Sequence, residues 1–142
     1  MNIALFLTPK SEVITLERNY TIQHAMDVMA KYRYTSVPVI DQHGKFDSAL
    51  SEGDLLWHIS GVRNIETMEE TAGTRIRKVK RHHDLRPVSI SEDMESLIAL
   101  VATQSFVPVV DDDEIFIGII KRSDIINYTV SQMNKRERVC VS

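Results

Sequence analysis

The stretch Val37-Pro38-Val39-Ile40-Asp41 returns as Val107-Pro108-Val109-Val110-Asp111, 70 residues on from Pro38 to Pro108. Asp54-Leu55-Leu56 returns as Asp124-Ile125-Ile126 at the same offset of 70. Two separate matches in one register mark an internal repeat, and a repeat governs the rest of the reading. Each Val-Pro stretch reads as a short strand, with proline tolerated at its start or edge. Upstream, Ile22, Ala25, Met26 and Met29 fall on one helical face, and Met94, Leu97, Ile98 and Val101 have the same spacing. A β-branched stretch precedes each helix, Val13–Leu16 and Val88–Ile90. Pairing Ile14 with Val88 gives an offset of 74, four more than 70, so the second repeat is expected to lack about one helical turn. Its first helix should therefore be the shorter.

Downstream of each Val-Pro strand comes a turn rich in acids, Asp41-Gln42-His43-Gly44 or Asp111-Asp112-Asp113-Glu114. A third strand is expected over Phe46–Leu50 and Ile115–Ile120, and a last helix opening near Glu52 and near Arg122. Each unit thus reads strand, helix, strand, strand, helix. One such unit leaves an apolar sheet face bare, which a second can cover. The expected fold is α+β: two tandem β-α-β-β-α repeats packed as one pseudo-two-fold domain. Repeat one takes residues 1–62, a polar linker 63–75, and repeat two with a C-terminal helix and tail 76–142. A helical turn is expected in the linker around Ile65–Glu70.

With 142 residues, 43% of them hydrophobic and 26% charged, the chain can bury a core without disulfides or metals. The single cysteine, Cys140, lies in the tail and fits a reducing compartment. The apolar run Met1–Leu7 is too short for a membrane span and lacks the flanks of a secretion signal, so a cytoplasmic protein with no membrane partner is expected. A net charge of −3 gives no global reason to bind nucleic acid. The basic run from Arg75 to Arg86 is read first as a solvated linker. Its second reading is a phosphate-contacting strand, and its third a nucleic-acid contact, disfavoured because the run lacks interleaved aromatics. His82-His83 suggests no metal site, since neighbours on an extended chain point apart and no third ligand has the right spacing. No Gly-x-Ser-x-Gly, phosphate-loop or His-Glu-x-x-His signature is present, and Cys140 has no neighbouring His; an enzyme is not expected.

The ordered set, present twice, resembles the cystathionine-β-synthase (CBS) domain pair, or Bateman module. The likeness is carried by the hydrophobic-Pro-Val-hydrophobic-Asp strand, the β-α-β-β-α order, and a helix started through Ser51-Glu52-Gly53-Asp54; it covers roughly residues 5–60 and 76–131. Two departures stand out. The glycine that the family places six before the aspartate is Gly118 in repeat two but Ser48 in repeat one. The hydroxyl three before it is Ser51 in repeat one but Lys121 in repeat two. In size, and along Tyr34–Asp41 and Phe116–Arg122, the chain is similar to stand-alone two-repeat proteins of Gram-positive bacteria. Some of these bind cyclic di-AMP and regulate a partner protein.

What the resemblance implies is a regulatory module that binds an adenine nucleotide (AMP, ADP, ATP or cyclic di-AMP) between its repeats and requires no other cofactor. It implies two unlike clefts. One, favoured for a phosphate-rich ligand, would combine Pro9, Lys10, Ile14, Tyr34 and Thr35 with Ile120, Lys121, Arg122 and Asp124. The other would combine Leu50, Ser51 and Asp54 with His82, His83, Val88, Gln104 and Ser105. These residue types suit a nucleotide, because a carboxylate in the first turn of a helix accepts ribose hydroxyls, while lysine, arginine and free helix N–H groups hold phosphate. Each has a duller reading, the aspartates as caps, Lys121 and Arg122 as solvated charges, Tyr34 and Phe106 as core or interface. A homodimer is also implied, with Leu55, Leu56, Ile59, Ile125, Ile126 and Val130 as candidate contacts, and an effector protein whose identity stays open. Two alternatives remain: a ligand-free dimerisation and protein-interaction module, and a nucleic-acid accessory acting through the Arg75–Arg86 run.

Overall fold

A computed structural model describes residues 2–62 and 64–141, with side chains through Arg136. The chain forms two compact units, one from residues 2–13, 86–113 and 117–141, the other from 14–85 and 114–116. The first holds a four-stranded sheet and the second a three-stranded one.

The second unit is built on repeat one. Strand β2 (Leu16–Glu17) pairs in parallel with β3 (Ser36–Ile40), which pairs antiparallel with β4 (Phe46–Ser51). Between β2 and β3 runs α1 (Ile22–Tyr32), capped by the Thr21 hydroxyl on the His24 N–H and ended by Arg33 in a left-handed conformation. Its apolar stripe explains its burial: Ile22, Ala25 and Met29 face the core, whereas Met26 is 40% exposed at the rim. The β3–β4 turn is held by Asp41, whose Oδ1 accepts the N–H groups of His43 and Lys45. Helix α2 (Glu52–Ile59) follows β4 directly, and α3 (Ile65–Ala72) occupies the stretch read as a linker. Ile76 and Val79, on a short 3-10 turn, complete this core with Leu16, Val37, Val39, Leu50 and Leu55.

The first unit is built on repeat two. Its sheet has the order β1 (Thr8–Pro9), β7 (Phe116–Lys121), β6 (Phe106–Val110), β5 (Val88–Ser89). Helix α4 (Met94–Val101) has the Asp93 carboxylate as its cap, and α5 (Arg122–Val141) follows β7 without a loop. The core takes Ile3 and Phe6 from the N-terminal 3-10 turn together with Leu97, Val101, Val107, Val109, Ile120 and Ile125. Each repeat therefore receives its apolar plug from the segment that precedes the other repeat in sequence. Residues 2–13 group with repeat two, and residues 76–85 with repeat one.

The helix starts at Glu52 and Arg122 fall where the sequence placed them, and α4, with 8 residues, is shorter than α1, with 11. The register of the opening strands differs from the expectation. Leu16, not Ile14, is the counterpart of Val88, because Leu16 pairs with Val39 and Val88 pairs with Val109. The offset there is 72, so the second repeat is two residues short rather than four. Ile14 is partly buried against the core instead of lying in the strand.

Candidate functional site

In the unit built on repeat one, Ser51 ends β4 and caps α2. Its Oγ accepts the Asp54 N–H at 3.1 Å, and Asp54 Oδ2 accepts the Ser51 N–H at 3.0 Å, a reciprocal capping box. The other oxygen, Oδ1, accepts the backbone N–H of His82 at 2.9 Å. Asp54 is only 3% exposed, so both carboxylate oxygens are held inside the protein. Arg81 is tied down beside His82. The Arg81 guanidinium donates to Ser48 Oγ at 3.2 Å, Ile76 O at 3.1 Å and Val79 O at 2.6 Å. Burial pushes the Arg81 guanidinium below its ordinary value, and the charges of Asp54 and Asp47 oppose that shift. His82 and His83 remain exposed and, with Asp47, Ser48, Ala49, Arg81, Asp84 and Leu85, wall an open cavity of about 290 Å³. Leu50 is wholly buried in the core and presents no surface to a ligand.

The remaining residues assigned to that cleft lie in the other unit and are engaged there. Val88 is a core residue. Gln104, 8% exposed, pairs with the backbone of Arg86: Oε1 accepts its N–H at 2.9 Å, while Nε2 donates to its carbonyl at 3.0 Å and to Phe106 O at 3.3 Å. Ser105 is exposed, and its carbonyl accepts the Arg122 N–H at 3.0 Å.

The unit built on repeat two presents a different chemistry at the corresponding helix start. Lys121 is exposed in the place that Ser51 holds in repeat one. Arg122 opens α5 partly buried, and its Nε donates to Val101 O at 2.8 Å, on the last residue of α4. That bond fixes the guanidinium plane and leaves its terminal nitrogens as donors. Asp124 is partly exposed, and its carboxylate makes no hydrogen bond or ion pair among the described residues. Pro9 and Lys10 are exposed in the same unit, Pro9 paired with Gly118. Ile120 is a core residue here, as Leu50 is in repeat one. Ile14, Tyr34 and Thr35 belong to the other unit. Tyr34 is 44% exposed and stacks on Tyr32 with ring centroids 6.3 Å apart, and the Thr35 carbonyl accepts the Glu52 N–H at 2.9 Å.

The sequence reading did not single out Arg81 and Ser48 as a pair. The one signal was the departure at Ser48, where repeat two has Gly118. Among the candidate dimer contacts, Leu55 and Ile125 are buried, whereas Leu56 is 65%, Ile126 52% and Val130 49% exposed. Cys140, in the tail, lies outside the residues whose side chains are described. Among the described residues no helix is long and apolar enough to cross a membrane.

A paired repeat of this topology, with an acidic helix start in each half, defines a class. The CBS domain model matches residues 6–61 and 76–131, most of the chain, and the chain belongs to the CBS domain family. Cyclic di-AMP receptor B of Bacillus subtilis is 23% identical over 136 residues, which span 94% of this chain and 91% of that protein. The L-aspartate semialdehyde sulfurtransferase of Methanocaldococcus jannaschii is 30% identical over 112 residues, 79% of this chain but only 20% of that enzyme. The chain thus spans about a fifth of the enzyme and nearly the whole of the receptor. Among solved structures, CbpB in complex with c-di-AMP superposes with a TM-score of 0.85 at 22% identity, covering 97% of this chain and 90% of that one.

Proposed function

We propose that the chain is a regulatory ligand-sensing module, not an enzyme, which binds an adenine nucleotide through the start of α5 and relays occupancy to a partner protein. Cyclic di-AMP is the first candidate, with AMP, ADP and ATP behind it. The observation that carries this reading is the contrast between the two helix starts: Asp124 is solvent-accessible and, among the described residues, without an intramolecular partner, and it follows Lys121 and Arg122. A carboxylate of that kind accepts ribose hydroxyls, while Lys121 and the pre-positioned Arg122 supply cations for phosphate. Pro9 and Lys10 belong to the same unit and are included in the proposed site. The full-length match to a cyclic di-AMP receptor supports the choice of ligand. A ligand changes how the module engages a partner only by binding two of its states with different affinity.

Calorimetric titration with cyclic di-AMP and with AMP tests this. Asp124→Asn and Arg122→Ala should each weaken binding at least about tenfold, the loss of one charge-assisted hydrogen bond. No binding of any adenine nucleotide, or binding indifferent to both changes, refutes the proposal. Self-association is the second part of the reading. It rests on Leu56 and Trp57 of α2 and Ile126, Val130 and Met133 of α5, all 49–68% exposed. A two-fold dimer is the simplest closed arrangement, and light scattering checks it.

A further inference from the structure

We infer that Ser48, Arg81, His82 and Asp54 form a latch that closes the acidic motif of repeat one, so that the chain takes one nucleotide, through Asp124, and none through Asp54. The inference rests on the nucleotide reading above and adds to it which of the two aspartates is available. A ribose site in repeat one would need the Asp54 carboxylate, the Ser51 hydroxyl and a nearby cation. Each is already engaged. The Asp54 oxygens hold the N–H groups of Ser51 and His82 at 3.0 and 2.9 Å, and the group is 3% exposed. The Ser51 oxygen holds the Asp54 N–H at 3.1 Å. Arg81, the partly buried cation of the cluster, makes three hydrogen bonds within the unit, one of them to Ser48 Oγ.

To admit a ribose, the chain would have to withdraw the backbone of His82 from Asp54. That motion is resisted by Arg81, which anchors the same segment to Ser48 and to the carbonyls of the 3-10 turn Ile76–Lys78 and its cap Val79. Parting the buried Asp54 carboxylate from the His82 N–H costs about 1–3 kcal/mol, which favours the closed arrangement. Ser48 is therefore the position that sets the difference between the repeats. Gly118, its counterpart, offers no hydroxyl, and Asp124 makes no bond among the described residues. Asp54 acts as a positioning residue for the 81–83 segment.

The test combines stoichiometry with hydrogen exchange on the full chain. Wild type should bind one equivalent of cyclic di-AMP or AMP per chain. Asp54→Asn should keep that stoichiometry with affinity within about threefold, and Asp124→Asn should lose it. Asparagine leaves one neutral oxygen for the two N–H groups of Ser51 and His82, so in Asp54→Asn the amide of His82 should exchange at least about tenfold faster, the loss or weakening of one hydrogen bond to a charged group. Should Asp54→Asn fail to fold, Ser48→Ala leaves Asp54 whole and removes one of the three hydrogen bonds of Arg81; His82 exchange should rise and stoichiometry stay at one. Two equivalents in wild type, one of them removed at Asp54, overturn the inference. So does a His82 amide whose exchange ignores both changes. No binding of either nucleotide by wild type ends the nucleotide reading instead, and the exchange data then decide the latch alone.

Discussion

Replacing Gly118 by alanine should destabilise the unit built on repeat two by about 2–3 kcal/mol. Strand β1 lies against β7 with Thr8 opposite Ile119 and Pro9 opposite Gly118. A Cβ built on Gly118 falls inside contact distance of the Thr8 carbonyl oxygen, 2.8 Å from Leu7 Cδ1 and 3.1 Å from the Thr8 carbonyl carbon. Two of these obstacles are backbone, which cannot rotate away as a side-chain tip can. Overpacking of this kind costs about 1–3 kcal/mol. The strain cannot grow far beyond that, because β1 can leave the sheet, giving up a two-residue pairing worth about 1 kcal/mol per hydrogen bond and part of the cover over Leu7. For a chain of this size the shift in Tm is about 6–12 °C. Urea unfolding followed by circular dichroism gives the free energy, and the NMR chemical shifts of Thr8 and Pro9 show whether the strand has detached. Gly53→Ala is the control: its Cβ meets only Ser51 Oγ at 3.6 Å, an ordinary contact, and the change should be neutral or stabilise by about 0.5 kcal/mol. A Gly118→Ala protein within about 0.5 kcal/mol of wild type would refute the reasoning, since overpacking would then carry no cost at this backbone contact.

Ser51→Ala removes the acceptor for the Asp54 N–H and should cost about 1 kcal/mol in urea unfolding; Ser51→Thr should recover most of it. Gln104→Leu strips both polar partners from the Arg86 backbone and should cost about 1–3 kcal/mol; Gln104→Glu should cost at least as much at neutral pH, because its second oxygen would face the Arg86 and Phe106 carbonyls. Asp93 is held below its ordinary carboxylate value first by the Ser96 N–H that its side chain accepts, so the folded state binds fewer protons than the unfolded. Its contribution is complete above 3.8 and is lost as the pH falls through the lowered folded value. Asp93→Ser keeps the cap and removes this charge, so its urea midpoint should fall less than that of wild type between about pH 5 and about pH 2.

Much of the architecture was legible because the repeat states it twice. Pro38 and Pro108, and Asp54 and Asp124, mark the strands and the starts of α2 and α5 from residue order alone. The opening strands are not marked in this way. Each is two residues long, and in the run Val13–Leu16 several β-branched or apolar residues could take the place opposite Val39. Nor could the sequence assign the plugs. Ile3 and Phe6, and Ile76 and Val79, are apolar pairs three residues apart, a spacing that says they face one way but not which sheet they cover. The two aspartates look alike in the chain and differ in the fold. The partner that separates them is a backbone N–H at His82, 28 residues from Asp54, and a backbone donor leaves no mark on residue type.

One difference in residue type stands at the place where the two halves diverge most visibly. Ser48 and Gly118 stand at the same place in the repeat, on β4 and on β7. With no Cβ at Gly118, the backbone of Thr8 and Pro9 can lie directly against β7, and that sheet gains a fourth strand. At Ser48 a Cβ stands in the corresponding place, and among the described residues the sheet of repeat one stops at three strands. The chain there approaches by another route. Arg81 meets the Ser48 hydroxyl through its side chain, and its neighbour His82 donates its backbone N–H to Asp54 instead of to a strand. The carboxylate that could have faced a ligand is thereby drawn into the protein, while its counterpart Asp124 stays accessible at the start of α5. A change of one small residue for another thus goes together with a different sheet width in each half and with two acidic motifs that are chemically unequal.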